Sequence, residues 1–164
     1  MRYIAKTALL CMLIALLARG VSAYDLKSLV FDGVYKNQKP IHLSEYVGKQ
    51  PIILVFFYPQ CPPCEREVKI INKLYEKYHS KALIIGVSLS RDKYDIQDFI
   101  DDNNVKYPIY MIKSKNQLKA VGGILATPTT LLVDAKGRVR KKIIGERKFK
   151  HYCKDIQRCF NKHS

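Results

Sequence analysis

The sequence predicts one α/β domain with a central mixed sheet flanked by helices. Two continuous apolar runs of strand length, Ile52–Phe57 and 82–89, are typical of strands buried on both faces of a sheet. Segments with helical spacing alternate with these strands, which is the pattern of a parallel α/β core. A chain of 164 residues can form one hydrophobic core and has no room for a second domain.

The first 23 residues have the parts of a secretory signal peptide. Basic residues precede an apolar stretch over 7–17, and the small residues of 21–23 form a cleavage site. An apolar stretch that ends before Arg19 is much shorter than the ~20 residues that cross a bilayer. We therefore expect cleavage after position 23, which leaves a soluble domain over 24–164 outside the cytoplasm. An uncleaved segment would anchor the domain at its N-terminus.

The expected domain begins with a small hairpin and a central strand. Residues 29–34 and 39–43 flank a polar turn and predict the hairpin. Residues 44–47, ended by Gly48, fit a single helical turn. The run Ile52–Phe57 is apolar on both faces, so it belongs in the middle of the sheet.

The remaining elements follow from the spacing of apolar residues and from turn residues. In order, they are a helix over 61–78, a strand over 82–89, a helix over 94–103, an extended piece over 107–111, a helix over 115–121, a hairpin of Thr129–Val133 and Val139–Ile144, and an amphipathic helix Phe149–Phe160.

The run Cys61-Pro62-Pro63-Cys64 lies where the buried strand ends and the long helix begins. A helix N-terminus is electropositive and stabilises a thiolate. The two prolines fall at the first helical positions, where a missing N–H forfeits no helical hydrogen bond. The first cysteine should be exposed and the second, one turn in, should face the core. We predict that Cys61 attacks a substrate disulfide and that Cys64 then resolves the mixed disulfide and closes a Cys61–Cys64 bond.

Glu67 falls in the middle of the apolar face of the predicted helix that contains Cys64. Burial should raise the pKa of this carboxyl, which would suit it to exchange a proton with Cys64. The alternative is a first-turn acid that only favours the helix dipole, which is the role expected for Glu65. We favour the functional interpretation for Glu67.

A static disulfide or half of a zinc site are the structural alternatives for the cysteine pair. Zinc would need two or more further ligands, and the four histidines show no companion spacing. We therefore expect no metal and no other cofactor.

The chain is strongly basic, with a formal net charge of +15, and the excess is concentrated near its end. Residues 136–154 contain nine Lys or Arg and one acid, Glu146. This stretch could make weak contact with an anionic membrane or an acidic partner, or it could be an ordinary solvated surface, which we favour. We expect no nucleic-acid partner, because the chain carries an export signal and no recognisable binding motif.

Cys153 and Cys159 lie about 9 Å apart along the axis of a continuous helix. A disulfide needs Cα atoms within ~7 Å, so a bond between them would require the helix to break. Buried free thiols, a structural bridge and a contact with a partner all stay open.

Several motifs together match a known family. They are Asp32-Gly33, residues 41–44 followed by Gly48-Lys49, Cys61 to Cys64 with Glu67, residues 86–88, and residues 126–134 with Gly137. On these motifs the chain resembles the TlpA/ResA-like extracytoplasmic thiol–disulfide oxidoreductases of the thioredoxin superfamily, over nearly all of 26–145.

The resemblance implies a thioredoxin fold with an N-terminal hairpin and an insertion over 91–110. It implies that Pro128 is a cis-proline that lies against the cysteine pair and leaves the Thr127 backbone free to bind an extended substrate segment. With Pro62 and Pro63, these residues would form the substrate-binding surface. Glu67 matches the active-site glutamate of the family.

The resemblance also implies partners. The family mostly reduces protein disulfides, commonly those of apocytochrome c or of metal-site cysteines, and it depends on a membrane-embedded electron donor. We expect the same of this chain, as a monomer. Departures lie on the substrate-facing surface: Gln60 stands where members commonly carry Trp, residues 57–59 replace the usual Trp-Ala-Thr, and Lys69 replaces a Pro.

Two alternative functions share the expected fold. A thiol peroxidase would have a similar strand end, but its reactive cysteine follows a Thr or Ser by three residues, and here Tyr58 holds that position before Cys61. A copper-delivery protein would bind metal with a histidine and two cysteines that have three residues between them, whereas only two residues lie between Cys61 and Cys64. The residues around the cysteine pair therefore match neither alternative.

Overall fold

The computed structural model of the chain describes residues 24–160. The predicted signal segment, 1–23, lies outside the described residues, as do residues 161–164. Among the residues that are described, no helix combines the length and the apolar character needed to cross a membrane.

Seven strands form one mixed sheet in the order β2-β1-β5-β4-β3-β6-β7. The strands are β1 (Val30–Gly33), β2 (Ile41–His42), β3 (Ile52–Phe57), β4 (Leu83–Ser88), β5 (Ile109–Ile112), β6 (Thr129–Val133) and β7 (Val139–Ile144). Strand β4 runs parallel to β3 and β5, and every other neighbouring pair is antiparallel. The predicted mixed sheet and both predicted hairpins are confirmed.

Within residues 24–160, three α-helices flank the sheet: α1 (Pro62–Tyr78), α2 (Lys93–Asp102) and α3 (Phe149–Phe160). Their bounds agree with the predicted ones to within one residue. Three 3₁₀ segments complete the structure, Leu26–Ser28, Leu43–Glu45 and Lys115–Val121.

The segment Lys115–Val121, which the sequence predicts to be a helix, is a 3₁₀-helix. Ser114 and Gln117 form a capping box at its start, and Gly122 ends it in the left-handed region at φ 67°. The Gln117 side chain also donates to the Val30 carbonyl on β1. These contacts fix the start of the 3₁₀-helix beside β1, and the left-handed Gly122 fixes its end.

The sheet has a hydrophobic core on each face, and the side chains of β3 contribute to both. Ile53, Val55 and Phe57 pack with α1 and α3 on one face. The alternate residues of the strand pack with the N-terminal hairpin and Lys115–Val121 on the other. All six residues of β3 are buried. The predicted central position of this strand is therefore confirmed, and α1 starts directly from its end.

Helix α3 is fixed to the sheet by a buried carboxylate. Asp155 is 4% exposed and forms ion pairs of 2.7 Å with Lys141 of β7 and with Arg147. The side chains of Tyr152 and Ile156 on the same helix are fully buried in the core. Helix α3 therefore has a fixed orientation against β6, β7 and α1.

We expect Asp155→Ala to lower the free energy of unfolding by about 2 kcal/mol, because it leaves two cations without their common partner in a half-buried site. Urea denaturation at neutral pH measures this change. Lys154→Ala, an exposed change on the same helix, is the control and should shift the free energy by less than about 0.5 kcal/mol. Equal effects of the two substitutions would contradict the anchoring role.

The basic stretch 136–154 is partly neutralised by acids that lie just outside it in sequence. Arg138 and Arg140 pair with Asp134, while Lys141 and Arg147 pair with Asp155. Lys142 donates to the carbonyls of residues 121–123 at the end of the 3₁₀-helix. These contacts favour an ordinary surface over a dedicated anion-binding face.

Cys153 and Cys159 are both free thiols on the unbroken helix α3. Both side chains are half-buried and pack against the core beside α1. The two thiols are therefore not bridged, and a contact of either thiol with a partner stays a prediction.

Candidate active site

The cysteine pair sits at the start of α1, directly after β3. Cys61 is the N-cap residue, and its carbonyl accepts hydrogen bonds from the backbone N–H groups of Cys64 (2.8 Å) and Glu65 (3.1 Å). Pro62 and Pro63 occupy the first two helical positions. The Cys61 side chain is half-buried, whereas Cys64 is 3% exposed. The predicted burial of Cys64 is confirmed, and Cys61, which the sequence predicts to be exposed, is half-buried but more accessible than Cys64.

Burial raises the pKa of the Cys64 thiol to about 12, and the adjacent Cys61 thiol adds to the increase. A backbone hydrogen bond from Tyr58 and the Thr127 side chain act in the opposite direction and are weaker. Cys64 is therefore a neutral thiol near pH 7, and it must lose a proton before it can act as a nucleophile.

The loop before β6 lies against Cys61. The Thr127–Pro128 peptide bond is cis, as the family resemblance implied. Thr127 Oγ1 donates to Cys61 Sγ at 3.3 Å, and Cys61 Sγ lies 3.5 Å from the Thr127 carbonyl oxygen. The cysteine sulfur is thus held between the helix start and this loop.

Glu67 faces the core one turn beyond Cys64 and is 2% exposed. Its Oε1 accepts a hydrogen bond of 2.8 Å from the Tyr152 hydroxyl, while its Oε2 has no hydrogen-bond partner among residues 24–160. Burial raises the pKa of the Glu67 carboxyl to about 7, against the opposing effects of the Tyr152 hydroxyl and the Arg147 backbone N–H. The buried position predicted for Glu67 is confirmed.

An open cavity of about 430 Å³ adjoins Glu67 on the side of α3. Its wall also contains the ion pair between Arg66 and Glu146, with N–O distances of 2.5 and 3.1 Å. The remaining lining residues are Ile70, Arg147 and Lys148. The cavity has room for water next to Glu67, while the Oε2 atom itself is buried.

Tyr107 completes the polar surroundings of the site. Its side chain is 6% exposed, and burial, together with the negative charges of Glu67 and Cys64, raises its pKa above the ordinary value. Gly86 leaves space for this ring, because a Cβ there would lie 2.9 Å from Tyr107 and 2.4 Å from Ile109. Tyr107 therefore stays neutral beside Glu67 and Cys64.

The predicted site residues are brought together at one end of the sheet, with Pro62 exposed and Pro63 half-buried next to the cysteines. Tyr152 and Tyr107 also lie in the site, although no sequence motif points to either of them. Tyr152 had one available signal: a tyrosine on the apolar face of a helix needs a partner for its hydroxyl once it is buried. Tyr107 had none. Within residues 24–160, no group of three or more His, Cys, Asp or Glu side chains is arranged to hold a metal ion.

The raised pKa of Glu67 predicts a pH dependence of stability. In the folded protein this carboxyl binds a proton up to about pH 7, whereas in the unfolded chain it does so only to about pH 4.3. The folded state therefore binds more protons between these values, and stability falls as the pH rises through this window. Glu67→Gln should remove this loss, and at pH 8 it should raise the free energy of unfolding by up to about 3 kcal/mol.

Urea denaturation of the two proteins at pH 5 and pH 8 measures this effect. Glu65→Gln, an exposed change on the same helix, is the matched control. If wild type and Glu67→Gln lose the same stability between the two pH values, Glu67 does not have the raised pKa.

The Redoxin family model matches residues 20–156 of the chain. The chain is 34% identical over 110 residues to "Thiol-disulfide oxidoreductase ResA" of Bacillus thuringiensis subsp. konkukian (strain 97-27), an alignment that covers 66% of this chain and 62% of that protein. It is 36% identical over 102 residues to the protein of that name in Halalkalibacterium halodurans, covering 62% of this chain and 57% of the relative. The chain thus spans about three fifths of the length of these relatives.

Solved structures show the same fold. A thiol:disulfide interchange protein of Chlorobium tepidum, described as a thioredoxin family protein, matches with a TM-score of 0.70 at 22% identity, over 84% of this chain and 95% of that one. StoA from Bacillus subtilis matches with a TM-score of 0.64 at 23% identity, over 77% and 94%. The thioredoxin fold and the ResA-like resemblance are confirmed. With the family model matching most of its length and the cysteine pair at the start of α1, the chain belongs to the Redoxin family.

Proposed function

We propose that this protein is a thiol–disulfide oxidoreductase that reduces disulfides of other proteins through Cys61 and Cys64. One observation carries the proposal: an accessible cysteine at a helix N-terminus lies one turn before a buried cysteine that is protonated at neutral pH. This pairing gives one sulfur to attack and a second to resolve. The names of the ResA relatives favour the same activity.

The two cysteines and the substrate disulfide account for every bond and electron in the reaction. The Cys61 thiolate attacks a substrate disulfide, so that a Cys61–substrate bond forms and the first substrate thiolate leaves. Cys64 then gives up its proton and attacks Cys61 Sγ. The Cys61–Cys64 bond forms, the bond to the substrate breaks, and the electron pair leaves with the second substrate thiolate. The substrate gains two electrons and the cysteine pair loses two.

Glu67 is the proposed acceptor of the Cys64 proton. It follows Cys64 by three residues on α1, so the two side chains lie on the same face of the helix. Its pKa of about 7 allows it to take a proton and return it near neutral pH. Thr127, Pro128, Pro62 and Pro63 would form the surface on which an extended substrate segment docks.

The proposed setting is outside the cytoplasm, in the periplasm of a bacterium, on the basis of the signal-like segment 1–23. In an oxidising compartment the Cys61–Cys64 disulfide must be reduced again after each reaction, so the proposal includes a membrane-embedded electron donor. Apocytochrome c, whose haem-binding cysteines must be reduced, is the proposed substrate class, and the protein would act as a monomer.

The test is the reduction of a peptide that carries a Cys-X-X-Cys-His disulfide by the pre-reduced protein, followed by mass spectrometry. We expect one peptide disulfide to be reduced for each Cys61–Cys64 disulfide formed. Parallel assays address the two alternative functions. Peroxide turnover far above that of thioredoxin would contradict the proposal, and so would tight stoichiometric copper binding lost in Cys61→Ser.

A further inference from the structure

The Tyr152 hydroxyl connects the C-terminal helix to the proposed proton acceptor. The side chain is fully buried and belongs to α3, beyond the segment 26–145 on which the family resemblance rests. Its hydroxyl donates to Glu67 Oε1 at 2.8 Å and lies 2.9 Å from Thr130 Oγ1 on β6. Side chains from α1, α3 and β6 therefore form one buried hydrogen-bonded chain.

The direction of this chain follows from its chemistry. A tyrosine hydroxyl has one hydrogen, and an ionised carboxylate has none to offer. When Glu67 is ionised, Tyr152 must donate to it, so the Thr130 hydroxyl must donate to the Tyr152 oxygen. Each donor in such a chain is strengthened by the bond that it accepts. Thr130 thus supports the donation from Tyr152 to Glu67.

The two oxygens of Glu67 consequently differ. Oε1 is engaged by Tyr152, whereas Oε2 is buried and lacks a partner among the described residues. Glu67 also lines the cavity of about 430 Å³ whose wall contains the Arg66–Glu146 ion pair. A proton can be added to Oε2 without breaking the hydrogen bond at Oε1, because a protonated carboxyl still accepts at its other oxygen.

We propose that Tyr152 is a positioning residue that fixes Glu67 through Oε1 and leaves Oε2 as the oxygen that takes the proton when Cys64 attacks Cys61. This inference rests on the proposed function, because it concerns the proton released in the resolving step. It extends the site to the C-terminal helix and gives the anchoring of that helix by Asp155 a functional role.

The groups around Glu67 set the sign of the expected effect. Tyr152 on α3 and the Arg147 backbone N–H after β7 favour the ionised carboxylate, whereas burial and the neighbouring Glu146 favour the neutral acid. Tyr107, before β5, and Cys64, on α1, are both neutral at pH 7. The Arg66 guanidinium on α1 is committed to Glu146. Loss of the Tyr152 hydroxyl should therefore raise the pKa of Glu67.

The experiment compares Tyr152→Phe with the parent protein, both carrying Cys153→Ser and Cys159→Ser so that only the active pair reacts. Stopped-flow reaction with an aromatic disulfide releases one chromophore when Cys61 attacks and a second when Cys64 resolves. Carbon-13 NMR of glutamate-labelled protein follows the titration of the Glu67 carboxyl directly. We expect the resolving rate of the parent to rise with pH around 7, together with the ionisation of Glu67.

In Tyr152→Phe both the NMR titration and the inflection of the resolving rate should move to higher pH by roughly one unit, with the Cys61 step unchanged. Thr130→Val should move them in the same direction by less. Tyr78→Phe is the matched control, since it also removes a buried tyrosine hydroxyl beside α3, but one that lies near Cys153 and Lys77 and not near Glu67. The Tyr78→Phe substitution should leave the pH dependence of the resolving rate and of the NMR titration unchanged.

The outcomes distinguish the proposed role of Glu67 as proton acceptor from the proposed role of Tyr152 as a positioning residue. If Glu67→Gln leaves the resolving rate and its pH profile unchanged, the proposed role of Glu67 fails. If Glu67→Gln abolishes the inflection but Tyr152→Phe leaves it at the parental pH, only the role of Tyr152 is overturned. A profile that shifts equally in Tyr78→Phe would also overturn it, because the effect would then be one of packing.

Discussion

Cys61→Ser is expected to lose disulfide exchange by roughly three orders of magnitude or more, because a serine hydroxyl is not ionised near pH 7 and cannot form a mixed disulfide. The side chain at position 61 is the accessible member of the pair, so no other cysteine at the start of α1 can make the first attack. Reduction of a peptide disulfide, followed by mass spectrometry, measures the loss.

The fold should survive this substitution, since serine is close to cysteine in size and Cys61 is only half-buried. Far-ultraviolet circular dichroism and thermal unfolding are the checks. Cys153→Ser provides the matched control on α3, 92 positions away in sequence, and it should keep full activity. If Cys61→Ser retained the parental rate, the site would be wrong.

Cys64→Ser is expected to trap the reaction at the mixed disulfide. Cys61 still attacks, but no resolving sulfur lies one turn along the helix, so the Cys61–substrate bond persists. With a peptide that carries one disulfide, we expect most of the protein to gain the mass of the peptide and turnover to stop. The parent protein should show this adduct only transiently.

The adduct identifies the nucleophile directly. Proteolysis and mass spectrometry should locate the substrate on Cys61, and thiol reductant should release it. An adduct on Cys153 or Cys159 would contradict the assignment of roles. Rapid turnover by Cys64→Ser would do so as well, because it would show that resolution does not need the buried thiol.

Much of the fold could be predicted from the sequence, because its strongest patterns depend on local spacing. The six apolar residues of β3 have no polar face, which only a central strand tolerates, and β3 indeed lies between β4 and β6. The bounds of α3 follow from its amphipathic spacing. The 3₁₀ form of Lys115–Val121 could not be foreseen, because it depends on contacts with β1 that are distant in sequence.

The candidate site, too, could be predicted only where its residues are close together in the sequence. The cysteines and Glu67 lie within seven consecutive residues of one strand–helix junction, so helical geometry alone predicts which side chains are exposed or buried. Tyr152 follows Glu67 by 85 positions and meets it only because α3 packs across α1. The partial neutralisation of the basic stretch by Asp134 and Asp155 likewise became visible only in three dimensions.

The reduction potential of the Cys61–Cys64 pair tests the central claim most directly. A strong oxidant owes its potential to a stabilised reduced form, whereas here the buried Cys64 thiol has its pKa raised to about 12 and gains no such stabilisation as a thiolate. Equilibration with dithiothreitol redox buffers at pH 7, followed by alkylation and mass spectrometry, measures the potential. We predict a reduction potential below about −200 mV, which is on the reducing side of the extracytoplasmic range. A potential near about −120 mV, as in strong disulfide donors, would contradict the account.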